Sequence, residues 1–126
     1  MNPLRHFIVL GAVNGFLAVA FGAFAAHALK DLLSAGLLEV FHTGVEYQGL
    51  HALALVAVGL LGRDEHGRAL NLAGWAFASG ILLFSGSLYL LALTDIRMLG
   101  AVTPLGGVAF LIGWGALAWH AARNTS

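Results

Sequence analysis

The sequence predicts an all-α membrane protein: a bundle of four transmembrane helices in up-down-up-down order, with a short interfacial helix between helices one and two. Two observations lead to this fold class. Hydrophobic residues make up 60% of the 126 residues, whereas charged residues make up only 10%, well below the roughly 25% of a soluble domain. The few charges are also clustered, and the gaps between clusters match the about 20 residues that cross a bilayer.

The uncharged stretches place the four spans within a single membrane domain, residues 1–126. Glu46, in the second span, is the one charged residue within them. Helices are expected because an open strand would leave backbone groups unpaired in lipid, and the strict alternation of barrel strands is missing. By the positions of the charges, the spans cover about residues 6–29, 44–62, 69–94 and 98–122.

The connections between the spans are short, which favours antiparallel neighbours. The first connection, residues 30–43, reads KDLLSAGLLEVFHT. Its leucine pairs recur at helical spacing, so we expect a short amphipathic helix at the membrane interface. The other two connections, residues 63–68 and 95–97, are compact charged turns.

The distribution of Lys and Arg predicts the orientation, because cytoplasmic loops carry an excess of these residues. The side that holds both termini and the middle turn has more of them than the opposite side. The two sets are Arg5, Arg63, Arg68 and Arg123 against Lys30 and Arg97. We therefore expect both termini in the cytoplasm.

A continuous stripe of small residues runs along the first helix at spacings of three or four. Close packing of such residues drives helix association in lipid. We favour packing within one bundle, because each of the four helices must already pack against neighbours. Packing between protomers of a homo-oligomer is the alternative. The stripe consists of Gly11, Gly15, Ala18, Gly22 and Ala25.

Polar residues inside the spans form the candidate site. Such groups are energetically costly in lipid, so their presence indicates a structural contact or a function. Most of them lie toward the non-cytoplasmic ends of the helices, where antiparallel packing brings them together. The candidates for a polar network or ligand site are His27, Glu46, Tyr47, Gln48, His51, Ser85, Ser87, Tyr89 and Thr103.

Two of these residues have competing interpretations. Thr43 and Glu46 fit the T-x-x-E capping box, so a structural role for Glu46 is favoured over a proton or cation ligand. His51 lies about 10 Å along the helix from the start of the second span, where an imidazole usually bonds to a neighbouring helix. His27, His42 and His51 could also ligate a metal or haem, although no H-x-x-x-H or E-x-x-H spacing is present.

Several function classes are disfavoured. The chain has no cysteine, so disulfides and thiolate nucleophiles are excluded. A net charge of +0 without a basic run argues against nucleic acid as a partner. No G-x-S-x-G, phosphate-loop or H-E-x-x-H motif is present. We therefore expect no enzyme activity and no cofactor.

Four motifs follow one another along the chain: GAFAAHAL at residues 22–29, YQGLHALAL at residues 47–55, FSGSLY at residues 84–89, and TPLGG with GW within residues 103–114. In this order they resemble the YgdD-like family, a group of small four-helix bacterial inner-membrane proteins of unknown function. The resemblance implies a multi-pass protein of the bacterial inner (plasma) membrane and implies no activity.

Two positions depart from that family's pattern. Ala25 stands where the family usually has Gly, and Glu46 stands where Gln is common. The second departure weakens a proton-relay role for Glu46, because the family pattern does not require a carboxylate there.

Three functional hypotheses are compatible with the sequence. We favour a structural or accessory protein of the lipid bilayer whose outer-half polar network joins the helices. The first alternative is a small transporter or an ion- or proton-permeation protein that acts as an oligomer. The second alternative is a histidine-based metal or haem site.

Overall fold

The computed structural model describes residues 2–65 and 67–123, and every regular element in them is helical. The predicted helical class with four spans is confirmed, because four stretches are long and apolar enough to cross a membrane. They are Arg5–His27, Ala35–Leu61, Arg68–Thr94 and Arg97–Arg123.

The third and fourth spans each contain more than one helical element. A π-helical segment, Ile81–Ser85, joins two α-helices in the third span, and a 3₁₀ helix, Arg97–Ala101, precedes the α-helix of the fourth. Asp95 ends the third span in the left-handed conformation, with φ 56°. The α-helices are α1 (Arg5–His27), α2 (Ala35–Leu61), α3 (Arg68–Gly80), α4 (Gly86–Thr94) and α5 (Thr103–Arg123).

The interfacial helix expected between the first two spans is not a separate element in the structure. A 3₁₀ helix, Leu29–Asp31, follows α1, and α2 begins at Ala35. The Ser34 hydroxyl caps α2 by accepting a hydrogen bond from the Leu37 N–H at 3.2 Å. No proline interrupts the 27 residues of α2. Leu37 and Leu38 lie in the first part of α2, whereas Leu32 and Leu33 lie between the 3₁₀ helix and α2, so the two leucine pairs do not share one helix.

The predicted capping box at Thr43 and Glu46 is wrong for the same reason. Thr43 lies inside α2, and its hydroxyl donates to the Glu39 carbonyl one turn earlier, at 3.0 Å. The N–H groups that need capping belong to the first turn of a helix, and that turn lies near Ser34. The Glu46 carboxylate is exposed and forms no hydrogen bond or ion pair with another described residue.

Neighbouring spans run antiparallel. In the first pair, Gly11 lies against Ala52, whereas Gly22, farther along α1, lies against Val45, which comes earlier in α2. In space, α1 packs chiefly on α2, α2 also packs on the third span, and the third span packs on α5. The second and third spans therefore form the centre of the bundle.

Apolar packing flanks the middle of the bundle on both sides. One buried cluster includes Phe7, Leu55 and Phe77, and a second includes Ala25 and Phe41. Phe7 and Ala25 lie near opposite ends of α1, so the two clusters lie near opposite ends of the bundle. Polar side chains midway along α1 and α2 are thus enclosed between two apolar layers.

The third span and α5 approach each other so closely that glycine is required at their contact. A Cβ at Gly106 would overlap the backbone of Phe84 in the π-helical segment. Gly113 makes room in the same way for the ring of Phe77. The adjacent Gly107 has no neighbouring atom within 4 Å of the Cβ position.

We predict that Gly106→Ala lowers the thermal stability of the purified protein in detergent, by about 1–3 kcal/mol, because an overpacked contact must move backbone. Gly107→Ala is the matched control, and its higher helix propensity predicts no loss. Thermal unfolding followed by circular dichroism measures both. Equal thermal stabilities of the two variants would contradict the claim that the contact of residue 106 with the Phe84 backbone requires glycine.

Candidate functional site

A row of three hydrogen-bonded side chains crosses the bundle from α4 through α2 to α1. The Tyr89 hydroxyl donates to Gln48 Oε1 at 2.6 Å, and Gln48 Nε2 donates to Asn14 Oδ1 at 2.9 Å. Asn14 Nδ2 then donates to the Leu10 carbonyl at 2.8 Å. Each side chain donates to the next, so the row links the first three spans.

This row forms the floor of a groove between α1 and the third span, with a volume of about 310 Å³. Aromatic contacts join α1 to the third span at both ends of the groove. Phe7 and Trp75 have ring centroids 5.2 Å apart, and those of Phe21 and Tyr89 are 5.1 Å apart. The groove is lined by Leu10, Asn14, Leu17, Phe21, Gln48, Ala78, Ile81, Leu82, Ser85, Gly86 and Tyr89.

His51 is only 2% exposed and is held through both ring nitrogens. Nδ1 lies 2.8 Å from the Tyr47 carbonyl, and Trp114 Nε1 donates to Nε2 at 3.0 Å. A carbonyl can only accept and an indole N–H can only donate. Nδ1 therefore carries the proton, and the Nε2 lone pair is already used. The ring also stacks on Phe110, with centroids 3.5 Å apart and an interplanar angle of 8°.

Three hydroxyl groups form two further contacts between spans. Ser85 Oγ donates to the Gly44 carbonyl at 2.8 Å, which ties the π-helical segment to α2. Ser87 Oγ donates to the Phe84 carbonyl at 3.0 Å and lies 2.6 Å from Thr103 Oγ1. A hydroxyl has one proton, so Thr103 is the donor to Ser87. This pair joins α4 to the start of α5.

The nine candidate residues do not form one cluster. His27 is exposed at the end of α1, and Glu46 is exposed on α2. Tyr47 is 40% exposed; its carbonyl lies against His51 Nδ1, and its ring is stacked beside the imidazole with centroids 6.1 Å apart. Among residues 2–65 and 67–123, no group of three His, Cys, Asp or Glu side chains could hold a metal ion.

Sequence reasoning missed two participants, Asn14 and Trp114. An amide in the middle of an otherwise apolar span is itself a signal of a buried contact, so Asn14 could have been added. In the sequence, Trp114 is compatible with an interface anchor or a packing residue, and only the packing of α5 shows that its indole faces His51.

A separate polar contact lies at the other end of the bundle. His120, near the end of α5, is 4% exposed, and its Nε2 lies 2.8 Å from Glu65 Oε2 in the turn before α3. The contact fastens the end of α5 to the connection between the second and third spans.

Comparison with known proteins identifies relatives along most of the chain. The family described as "Protein of unknown function (DUF423)" matches residues 21–107. The UPF0382 membrane protein YwdK of Bacillus subtilis is 51% identical over 112 residues, which covers 88% of this chain and 91% of that protein. This chain belongs to the DUF423/UPF0382 family.

Other UPF0382 relatives agree in length as well as in sequence. A UPF0382 membrane protein of Haemophilus influenzae is 45% identical over 123 residues, which covers 97% of this chain and 98% of the relative. The UPF0382 membrane protein SSP2132 of Staphylococcus saprophyticus subsp. saprophyticus is 48% identical over 111 residues, covering 88% and 92%. No solved structure matches the chain.

Membership of the UPF0382 family supports the membrane assignment. Relatives carry the name membrane protein, and the structure has four helices able to span a bilayer. The chain is therefore a multi-pass integral membrane protein of uncharacterised role. The expected likeness to a small uncharacterised membrane family is confirmed, while the narrower YgdD-like label stays a prediction. The matched range includes Gln48, His51 and Tyr89 and excludes Asn14 and Trp114.

We predict that Trp114→Phe destabilises the protein by about 1 kcal/mol, because the buried His51 Nε2 loses its donor. Trp119→Phe is the matched control, since Trp119 is 59% exposed and contacts Arg123 instead. Thermal unfolding in detergent distinguishes the two. If both variants unfold at the wild-type temperature, the indole–imidazole bond does not stabilise the bundle.

Proposed function

We propose that this UPF0382 member is a structural or accessory protein of the bacterial inner (plasma) membrane, in which an internal polar network joins the helices. The observation that carries the proposal is the row of Tyr89, Gln48 and Asn14, which connects three spans by side-chain hydrogen bonds. The bonds of His51 to Trp114 and of Ser87 to Thr103 add α5 to the network.

Hydrogen bonds suit this role because lipid tails give no hydrophobic drive for helix association. In water such a bond competes with solvent, but in the bilayer each unpaired polar group is costly. Polar side chains placed opposite one another therefore select one arrangement of the spans over others. The apolar clusters at both ends of the bundle add van der Waals contacts, but these contacts select less strongly for one arrangement of the spans.

Two alternatives have weaker support. Transport would need a polar path along the bundle axis, whereas the row of Tyr89, Gln48 and Asn14 runs across it. A metal or haem ligand role for His51 would require Nε2 to leave the Trp114 indole. His27 offers an exposed imidazole but lies apart from His51 at the end of α1.

We predict that Tyr89 and Gln48 are energetically coupled. A double-mutant cycle with Tyr89→Phe and Gln48→Leu should give a coupling free energy of about 0.6 kcal/mol and at most about 1.7 kcal/mol, the average and the maximum for hydrogen bonds between membrane helices. The measurement is reversible unfolding in mixed micelles. Tyr89→Phe with Ser79→Ala is the control cycle, because Ser79 Oγ bonds only to carbonyls of its own helix.

Two results would contradict the structural proposal. Additive effects of Tyr89→Phe and Gln48→Leu would show that the bond does not couple the spans. A proton or ion flux into vesicles containing the wild-type protein, above that of protein-free vesicles and abolished by Gln48→Leu, would favour the transport alternative instead.

We also propose that both termini face the cytoplasm, as the excess of Lys and Arg on that side supports. The absence of native cysteine allows a clean test with single cysteines. Asp31→Cys and Asp64→Cys remove the same charge at two exposed positions in successive connections. We expect a membrane-impermeant maleimide to label Cys at position 31 in intact cells and at position 64 only after lysis. The reverse pattern would invert the orientation.

A further inference from the structure

The floor of the groove has more hydrogen-bonding capacity than the protein uses. A side-chain amide has two N–H donors. Gln48 uses one for Asn14 Oδ1, and Asn14 uses one for the Leu10 carbonyl. The second N–H of each amide has no acceptor among the described residues. Gln48 is only 4% exposed, so an unused donor there is costly in a bilayer.

The depth of the floor determines what can reach these donors. Asn14 lies about 14 Å along α1 from Arg5 and about 20 Å from His27, at 1.5 Å per residue. The hydrocarbon core of a bilayer is about 30 Å thick, so the amide groups of Asn14 and Gln48 lie near its middle. The ester groups of phospholipids are held near the surface by their head groups. An acceptor carried by a lipid without a charged head group fits this depth.

The lining of the groove limits the chemistry of its occupant. No Asp, Glu, Lys or Arg lies among the described lining residues, so an ion, a phosphate or an amine would remain uncompensated. The walls are apolar, and the rings of Phe21 and Tyr89 close one end. The volume of about 310 Å³ lies within the range of small-molecule sites. An uncharged group with a hydrogen-bond acceptor fits these conditions.

We propose that the groove between α1 and the third span binds an uncharged lipid that carries a carbonyl group. The carbonyl oxygen accepts from the free N–H groups of Gln48 and Asn14, and the apolar chain leaves through the open side into the bilayer. A long-chain quinone and a diacylglycerol share this chemistry. The inference goes beyond the structural role proposed above and does not depend on it.

Gly86 provides a variant that blocks the groove without altering its floor. Gly86 lines the groove, and no atom lies within 4 Å of its Cβ position. A phenylalanine at this position would occupy the space of the ligand, while the hydrogen bonds among Tyr89, Gln48 and Asn14 stay in place. Gly115→Phe is the matched control, because Gly115 is equally unobstructed but lies on the exposed surface of α5.

The test measures binding of a decyl-substituted benzoquinone to the full chain in nanodiscs, by quenching of tryptophan fluorescence. We expect saturable quenching for the wild type and for Gly115→Phe. In Gly86→Phe the affinity for the quinone should fall by about tenfold or more, which corresponds to about 1.4 kcal/mol. Gln48→Leu should weaken binding similarly through loss of a donor. Thermal unfolding of each variant verifies that it remains folded.

Two further probes identify the source of the carbonyl. If a diacylglycerol displaces the quinone, the proposal is supported and the site also accepts esters. If the quinone binds and the diacylglycerol does not displace it, the proposal is supported and the site is specific for quinones. A decylbenzene without a carbonyl should neither quench nor compete. Two results would overturn the proposal: decylbenzene that competes as well as the carbonyl compounds, or a quinone affinity that is the same in Gly86→Phe and the wild type. Neither result depends on the coupling free energy between Tyr89 and Gln48, which tests the structural role separately.

Discussion

The structure depends on one constraint: in a bilayer, a polar group that is not hydrogen-bonded within the protein destabilises the fold by its full desolvation free energy. The helices satisfy the backbone, and the buried side chains of Gln48, His51, Ser85 and Ser87 each bond across helices or to nearby carbonyls. Even the Ser85 hydroxyl, 1% exposed, reaches the Gly44 carbonyl of another span. These bonds have few alternatives in hydrocarbon, so they specify which faces of the helices meet.

Glycine packing places these polar groups within reach of one another. Gly44 is buried against the Tyr89 ring and the Ser85 carbonyl, so α2 lies directly on the third span at the level of the polar row. The π-helical segment lies at the same place, where it turns Ser85 toward α2 and brings the Phe84 backbone against Gly106. Departures from α-helical geometry of this kind often occur at functional sites.

The sequence was sufficient for the helical class and the number of spans, because the cost of burying charge in lipid clusters the charged residues outside the helices. It was insufficient for the start of α2, since the leucine spacing did not show that a helix beginning at Ala35 continues into the second span. Gln48 and Tyr89 were candidates, but Asn14, which accepts a hydrogen bond from Gln48, was not. Helices that are apolar on all sides carry little information about which face is buried, so side-chain partners depend on packing that only the structure shows.

The two hydrogen bonds of His51 require a neutral imidazole ring. If the ring received a second proton, Nε2–H would face the Trp114 N–H, and two donors would oppose each other at 3.0 Å. Protonation of His51 would therefore break the side-chain hydrogen bond between α2 and α5. This link between the second and fourth spans exists only with a neutral imidazole.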